Sequence, residues 1–127
     1  MMYEQDYIMR IIANLVQFLA RIVFGKDTAT YELSRDEEHK ESDELHKALV
    51  VLLSEGEINE AENLLFDKFN PKDNRHMMVA VDFYHRLNNL DDGVLQENDF
   101  SREEIEEGLR DIASKAGIVI LNRHGVT

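Results

Sequence analysis

Residues 7–24 read YIMRIIANLVQFLARIVF, and the few polar side chains in that run decide how the rest of the chain must fold. Arg10, Asn14, Gln17 and Arg21 follow one another at steps of four, three and four, so they line one narrow stripe of an α-helix. The remaining side chains are apolar almost all the way round. A helix resting on the surface of a globule needs only about a 100° apolar arc. This one has far more, so it must be covered on most sides, whether by the rest of the chain, by a second copy or by another partner. Ile8, Ile11, Ile12, Leu15, Phe18, Leu19 and Ile22 are therefore the candidate interaction residues.

The composition narrows what can cover it. The chain has 127 residues, with 43% hydrophobic and 31% charged side chains, which suits one soluble domain. One Pro and six Gly leave little material for the tight turns of an all-β fold. The absence of Cys excludes disulfides, zinc–thiolate sites and thiol catalysis, and fits a reducing, cytoplasmic setting. The net charge is −12. Residues 1–30 carry three acids and three bases, so the whole excess falls on the remainder. Nucleic-acid binding needs clustered Lys and Arg, and none is present. A secretory leader does not suit a start with Glu4 and Asp6. A membrane-spanning helix would hold Arg10 and Arg21, each costing about 2.5–3.5 kcal/mol near the bilayer centre. The first helix therefore reads as a buried helix of a soluble protein. A peripheral membrane contact through it is the alternative.

The pattern downstream is helical throughout, giving a single all-α domain over 1–127 with about five helices. The long apolar helix occupies 1–25 and stops at Gly25. Residues 26–41 read as a loop followed by a charged helical turn or linker. Leu45, Leu49 and Leu52, then Ile58, Ala61, Leu65 and Phe69, mark two short helices joined at Gly56, a hairpin over 43–70. Asp73 can cap a fourth helix running to about Leu90. Val94, Leu95 and Phe100 form a short turn. Ser101 and Glu104 match a capping box for a last helix carrying Ile105, Leu109 and Ile112 to a stop at Gly117, so the C-terminal helices span 73–117. Ile118 to Leu121 should pack down on the core.

The stretch DELHKALVVLLSEGEINEAENLLFDKF (residues 43–69) resembles a tetratricopeptide-repeat hairpin. Leu45, Ala48 and Leu52 sit on its first helix, followed by Gly56, Ile58, Ala61 and Leu65. Leu45 replaces the family's aromatic knob, Leu49 its small Gly, and Lys68 its second small residue. No second unit is present, and a solenoid needs about three. The whole chain also resembles small uncharacterised bacterial helical proteins that open with a YEQDYIMR-like helix. The hairpin resemblance implies peptide or partner binding; the other brings no activity.

Catalytic chemistry has little to stand on. His39, Asp43 and His46, at steps of four and three, would share a helix face and are the metal-ligand candidates. They lie among solvated charges, and no metal or other cofactor is expected. Asp82 and His85 are three apart, which suits a partly buried His bonded to Asp82. The serines each serve as caps, helix ends or surface residues, and no Gly-rich loop follows a strand. Acid pairs such as Glu103-Glu104 and Glu106-Glu107 read as a solvated face. The leading expectation is thus a non-enzymatic helical interaction protein that self-associates, as a dimer or with a protein partner, through its first helix. The rival is a ligand-binding protein or enzyme with a pocket between the hairpin and the fourth helix, using Tyr84, His85 or Arg86.

Overall fold

Six α-helices make up the computed structural model, which describes residues 2–25, 29–33 and 39–120. They are α1 (Met2–Val23), α2 (Lys40–Ser54), α3 (Ile58–Lys68), α4 (Asn74–Asn88), α5 (Asp92–Glu97) and α6 (Arg102–Lys115). The fold is all-α, with one more helix than the periodicity predicts: the turn expected near Val94 and Leu95 is the short α5. Residue 1 and residues 26–28, 34–38 and 121–127 lie outside the described residues, and with them half of the expected 26–41 linker and Leu121.

Helix α4 is the centre of the bundle. It packs on α1, α2 and α6, while α2 and α3 pack on each other and α1 also meets α6. Its sequence explains this role, since Met77, Val79, Ala80, Val81, Phe83, Tyr84 and Leu87 are all buried and spread round the cylinder well beyond one stripe. Asp73 caps it, accepting a hydrogen bond from the Arg75 N–H at 2.9 Å, which satisfies one of the helix's free donors. Two asparagines fasten it to α1. The Asn74 amide donates to the Val23 carbonyl at 3.1 Å, and the Asn88 amide to the Met9 carbonyl at 3.1 Å. The start of α4 thus meets the end of α1, so the two helices run antiparallel.

The hairpin forms as its turn residues dictate. Gly56 adopts φ +76°, a conformation that only Gly takes without strain, and the Glu57 N–H returns to the Leu52 carbonyl at 2.9 Å. Ile58, Ala61 and Leu65 on α3 are fully buried. At the other end, Ser101 accepts from the Glu104 N–H at 3.1 Å, as the capping box requires. Arg102 is buried and donates to the carbonyls of Asn88 (2.8 Å) and Leu90 (2.9 Å) and to the Asp92 carboxylate (2.8 Å). One guanidinium therefore satisfies carbonyls left open where α4 ends. After α6, Gly117 at φ +81° turns the chain. Ile118 and Ile120 pack against the core, whereas Val119 points outward. Among the described residues, no helix is long and apolar enough to cross a membrane.

Candidate functional site

The chain covers much of α1 itself. Ile8, Ile12, Leu15 and Leu19, four of the seven expected interaction residues, are at most 8% exposed. They belong to the internal core with Val16, Ala20 and Val23. Of the covers the sequence leaves open, the chain itself supplies the one over this face: α4 and α6 pack on α1 and are apolar enough to take it up. What remains open is one outer stripe. At about 100° per residue, Tyr7, Ile11, Asn14, Phe18 and Ile22 fall within an arc of about 80°. Tyr7 is 52% exposed, Phe18 45% and Ile22 53%; Ile11 is half-buried and Asn14 exposed. Arg10, Gln17 and Arg21 form the adjacent strip, also exposed.

A second feature was not legible in the sequence. The extended segment 29–33 inserts Tyr31 between α2 and α4. The Tyr31 hydroxyl donates to the Asp43 carboxylate at 2.7 Å, lies 2.8 Å from the Ser42 hydroxyl, and accepts from Arg75 at 2.9 Å. Its ring stacks against His46, with centroids 4.8 Å apart, and Arg75 lies over it at 4.6 Å. Its backbone N–H donates to Asp82 at 2.8 Å. Asp82 also accepts from Arg86, and its carboxylate lies 3.9 Å from His46. The expected bond between Asp82 and His85 is therefore absent: Asp82 turns to Tyr31 and Arg86, and His85 is exposed. Burial and the Asp43 carboxylate raise the Tyr31 pKa. The network ties three segments together and places its polar groups against one another.

The expected metal set does not assemble. Asp43 and His46 are buried in this network, contrary to the expectation of solvated surroundings, and His39 stands half-exposed where α2 begins. Among the described residues, no group of three or more metal-ligating side chains is placed to hold an ion. A groove of about 290 Å³ does lie between the hairpin and α4, lined by Glu41, Glu44, Leu45, Ala48, Leu64, Lys68 and His76. Tyr84, His85 and Arg86 do not line it. His76 is buried, and its Nδ1 accepts from the Asn70 N–H at 3.1 Å. The neutral ring then carries its proton on Nε2, which makes that nitrogen a donor rather than a metal ligand.

Where α3, α4 and α6 approach one another, the Tyr84 hydroxyl donates to Glu62 at 2.7 Å. Burial pushes the Glu62 carboxyl above its ordinary value, with Glu104 and Asp111 adding to the effect and the Tyr84 bond opposing it. Burial likewise raises the Tyr84 pKa. Glu106, expected on a solvated face, is buried and accepts from Arg110 at 3.0 Å.

These shifts set opposite pH dependences. A raised carboxyl means that the folded chain holds the proton more tightly than the unfolded chain. Ionising Glu62 therefore costs stability as pH rises from 4.5 through the raised folded value. Burial lowers His46 below 6.5, against the attraction of Asp82. Its contribution is full above 6.5 and is lost as pH falls from there towards the lowered folded value. Glu62→Gln keeps an acceptor for Tyr84 without the charge. Urea unfolding should find it more stable than the parent chain at pH 7, with the difference shrinking towards pH 4.5. An unchanged difference across that range would remove this reading of Glu62.

Comparison with known proteins gives a family. A family model described as a family of unknown function (DUF6483) matches residues 2–117. No curated protein and no solved structure matches the chain.

Proposed function

For a chain that belongs to the DUF6483 family, whose function is unknown, we propose a role read from its own surface: a non-enzymatic self-association module that works through the outer stripe of α1. One observation carries this reading. Tyr7, Phe18 and Ile22 stay about half exposed on a single stripe after the same helix has filled the internal core. Scattered apolar side chains on a surface need no explanation, but a contiguous stripe marks a contact site. The hairpin's resemblance to a tetratricopeptide-repeat unit supports the same class of function by analogy.

A single helix stripe buries less than the roughly 800 Å² per partner of a standard interface. The association is therefore reversible and concentration-dependent. Light scattering on a sizing column should find a mass that rises from 14.8 kDa towards twice that value as concentration increases, and that resists high salt. Phe18→Glu places a charge in the stripe without touching the core. It should hold the chain at monomer mass while leaving the unfolding midpoint unchanged at concentrations low enough for the parent chain to be monomeric too. A dimer that tolerates Phe18→Glu would place the contact elsewhere.

A further inference from the structure

We infer that the groove between the hairpin and the start of α4 binds a free α-amino acid with an apolar side chain. The inference does not depend on the outer stripe of α1, since no residue of α1 lines this groove. Its basis is a buried donor without a partner and the arrangement of charge around it. His76 is 1% exposed, and its Nδ1 is already engaged by the Asn70 N–H. The proton therefore sits on Nε2, and a buried N–H needs an acceptor. Among the described residues none stands within hydrogen-bonding distance. The Glu41 and Asp73 carboxylates come to 3.8 and 3.7 Å. His76 and Glu41 both line the groove, so the gap between them opens on it.

The sequence explains how the groove is made. Glu41, Glu44, Leu45 and Ala48 follow one another at steps of three, one and three, on one face of α2. Leu64 and Lys68, four apart, join them from α3, and His76 from the first turn of α4. Leu45 is buried, Ala48 and Leu64 are half-buried, and Glu44 and Lys68 are exposed. The result is an apolar floor with a few polar groups above it, the make-up of a small-molecule site. Its volume of about 290 Å³ lies at the small end of such sites, which suits a single metabolite.

Charge selects the ligand. Helix α2 brings two carboxylates, Glu41 and Glu44. Helix α3 brings the Lys68 ammonium and α4 the Nε2–H of His76. The acid nearest Lys68 is Asp67 at 4.0 Å, and both side chains are too exposed for that pairing to hold it. A purely anionic ligand would meet Glu41 and Glu44. A purely cationic one would face Lys68 and leave the Nε2–H unanswered. An α-amino acid answers both sides, because it carries an ammonium and a carboxylate on the same carbon. The ammonium donates to Glu41 and Glu44, and the carboxylate accepts from His76 and Lys68. Glu41 and His76 stand side by side, as those adjacent groups require. The side chain then lies over Leu45, Ala48 and Leu64.

Amide NMR on the isotope-labelled full chain at pH 7, titrated with leucine, methionine and phenylalanine, tests this. At least one of the three should give saturable shifts at Ala48, Leu64, Lys68 and His76. Its amide derivative lacks the carboxylate and its N-acetyl derivative lacks the ammonium. Each should bind weaker by about tenfold or more. Lys68→Gln and Glu44→Gln change exposed side chains and should unfold as the parent does. Lys68→Gln should weaken the amino acid by about tenfold while leaving its amide derivative unchanged. Glu44→Gln should weaken the amino acid while leaving its N-acetyl derivative unchanged. No saturable shift with any of the three, shifts confined to residues outside the groove, or equal binding of the derivatives would overturn the site, whatever mass the chain has in solution.

Discussion

Gly108→Ala is expected to lower stability by about 2–3 kcal/mol, a large loss for a substitution that adds one methyl group to a helix. Helix propensity alone favours Ala over Gly by about 1 kcal/mol, so the sign of the result tests the packing. Gly108 is buried on α6 where that helix passes α3 and α4. A Cβ there would sit 2.5 Å from the Tyr84 hydroxyl oxygen, 2.5 Å from a Glu62 carboxylate oxygen and 2.8 Å from Tyr84 Cε1. The Glu62 carboxylate can swing away, being the end of a flexible chain. The Tyr84 ring cannot, because it is fully buried and in edge-to-face contact with Phe83 at 5.1 Å. Urea unfolding followed by circular dichroism measures the loss. Adding Tyr84→Phe to Gly108→Ala should restore part of it by removing the hydroxyl, while the Cε1 contact persists. Such coupling is the sign of a shared contact. An alanine variant as stable as the parent chain would mean that α6 can shift outward freely.

Tyr31→Ala is expected to cost about 3–5 kcal/mol, the range for deleting a buried aromatic side chain. Here the deletion also strips the Asp43 carboxylate and Arg75 of a hydrogen-bond partner. Tyr31→Phe isolates the second part. The ring keeps its contacts with His46 and Arg75, and only the hydroxyl is lost, at about 1–3 kcal/mol for the groups left unsatisfied. The difference between the two variants measures what the ring contributes by packing. If both unfold at the parent midpoint, the 29–33 segment is not a cooperative part of the core.

Those two sites also show where sequence reasoning reached its limit. The helices announced themselves through period and punctuation. Gly25, Gly56 and Gly117 all take positive φ, and Asp73 and Ser101 both cap, because these are local effects carried by one residue and its near neighbours. The outer stripe of α1 was half legible. All-round apolarity required cover, but the choice between own chain and partner depends on how much apolar surface α4 and α6 bring, which is a property of the assembled bundle. Tyr31 was not legible. It sits in a short polar stretch with no period, and its partners on α4 are 44 and 51 residues away. Asp82 illustrates the same point: a three-residue spacing favoured His85, and the fold supplied a distant backbone N–H and Arg86 instead. Gly108 could have been flagged only as a costly residue inside a helix, since nothing local names Tyr84 as the side chain it makes room for.

The two asparagine clamps between α1 and α4 have a consequence for how the protein is made. The inner face of α1 is complete by residue 23, but the helix that covers it is not finished until Asn88 reaches the Met9 carbonyl. At translation rates of about 5–20 residues per second, the intervening 65 residues take roughly three to thirteen seconds. Throughout that interval the most apolar segment of the nascent chain exists without its intended neighbour. The order of elements along the chain therefore leaves the inner face of α1 waiting for its cover until the fourth helix is made, whatever the finished bundle goes on to bind.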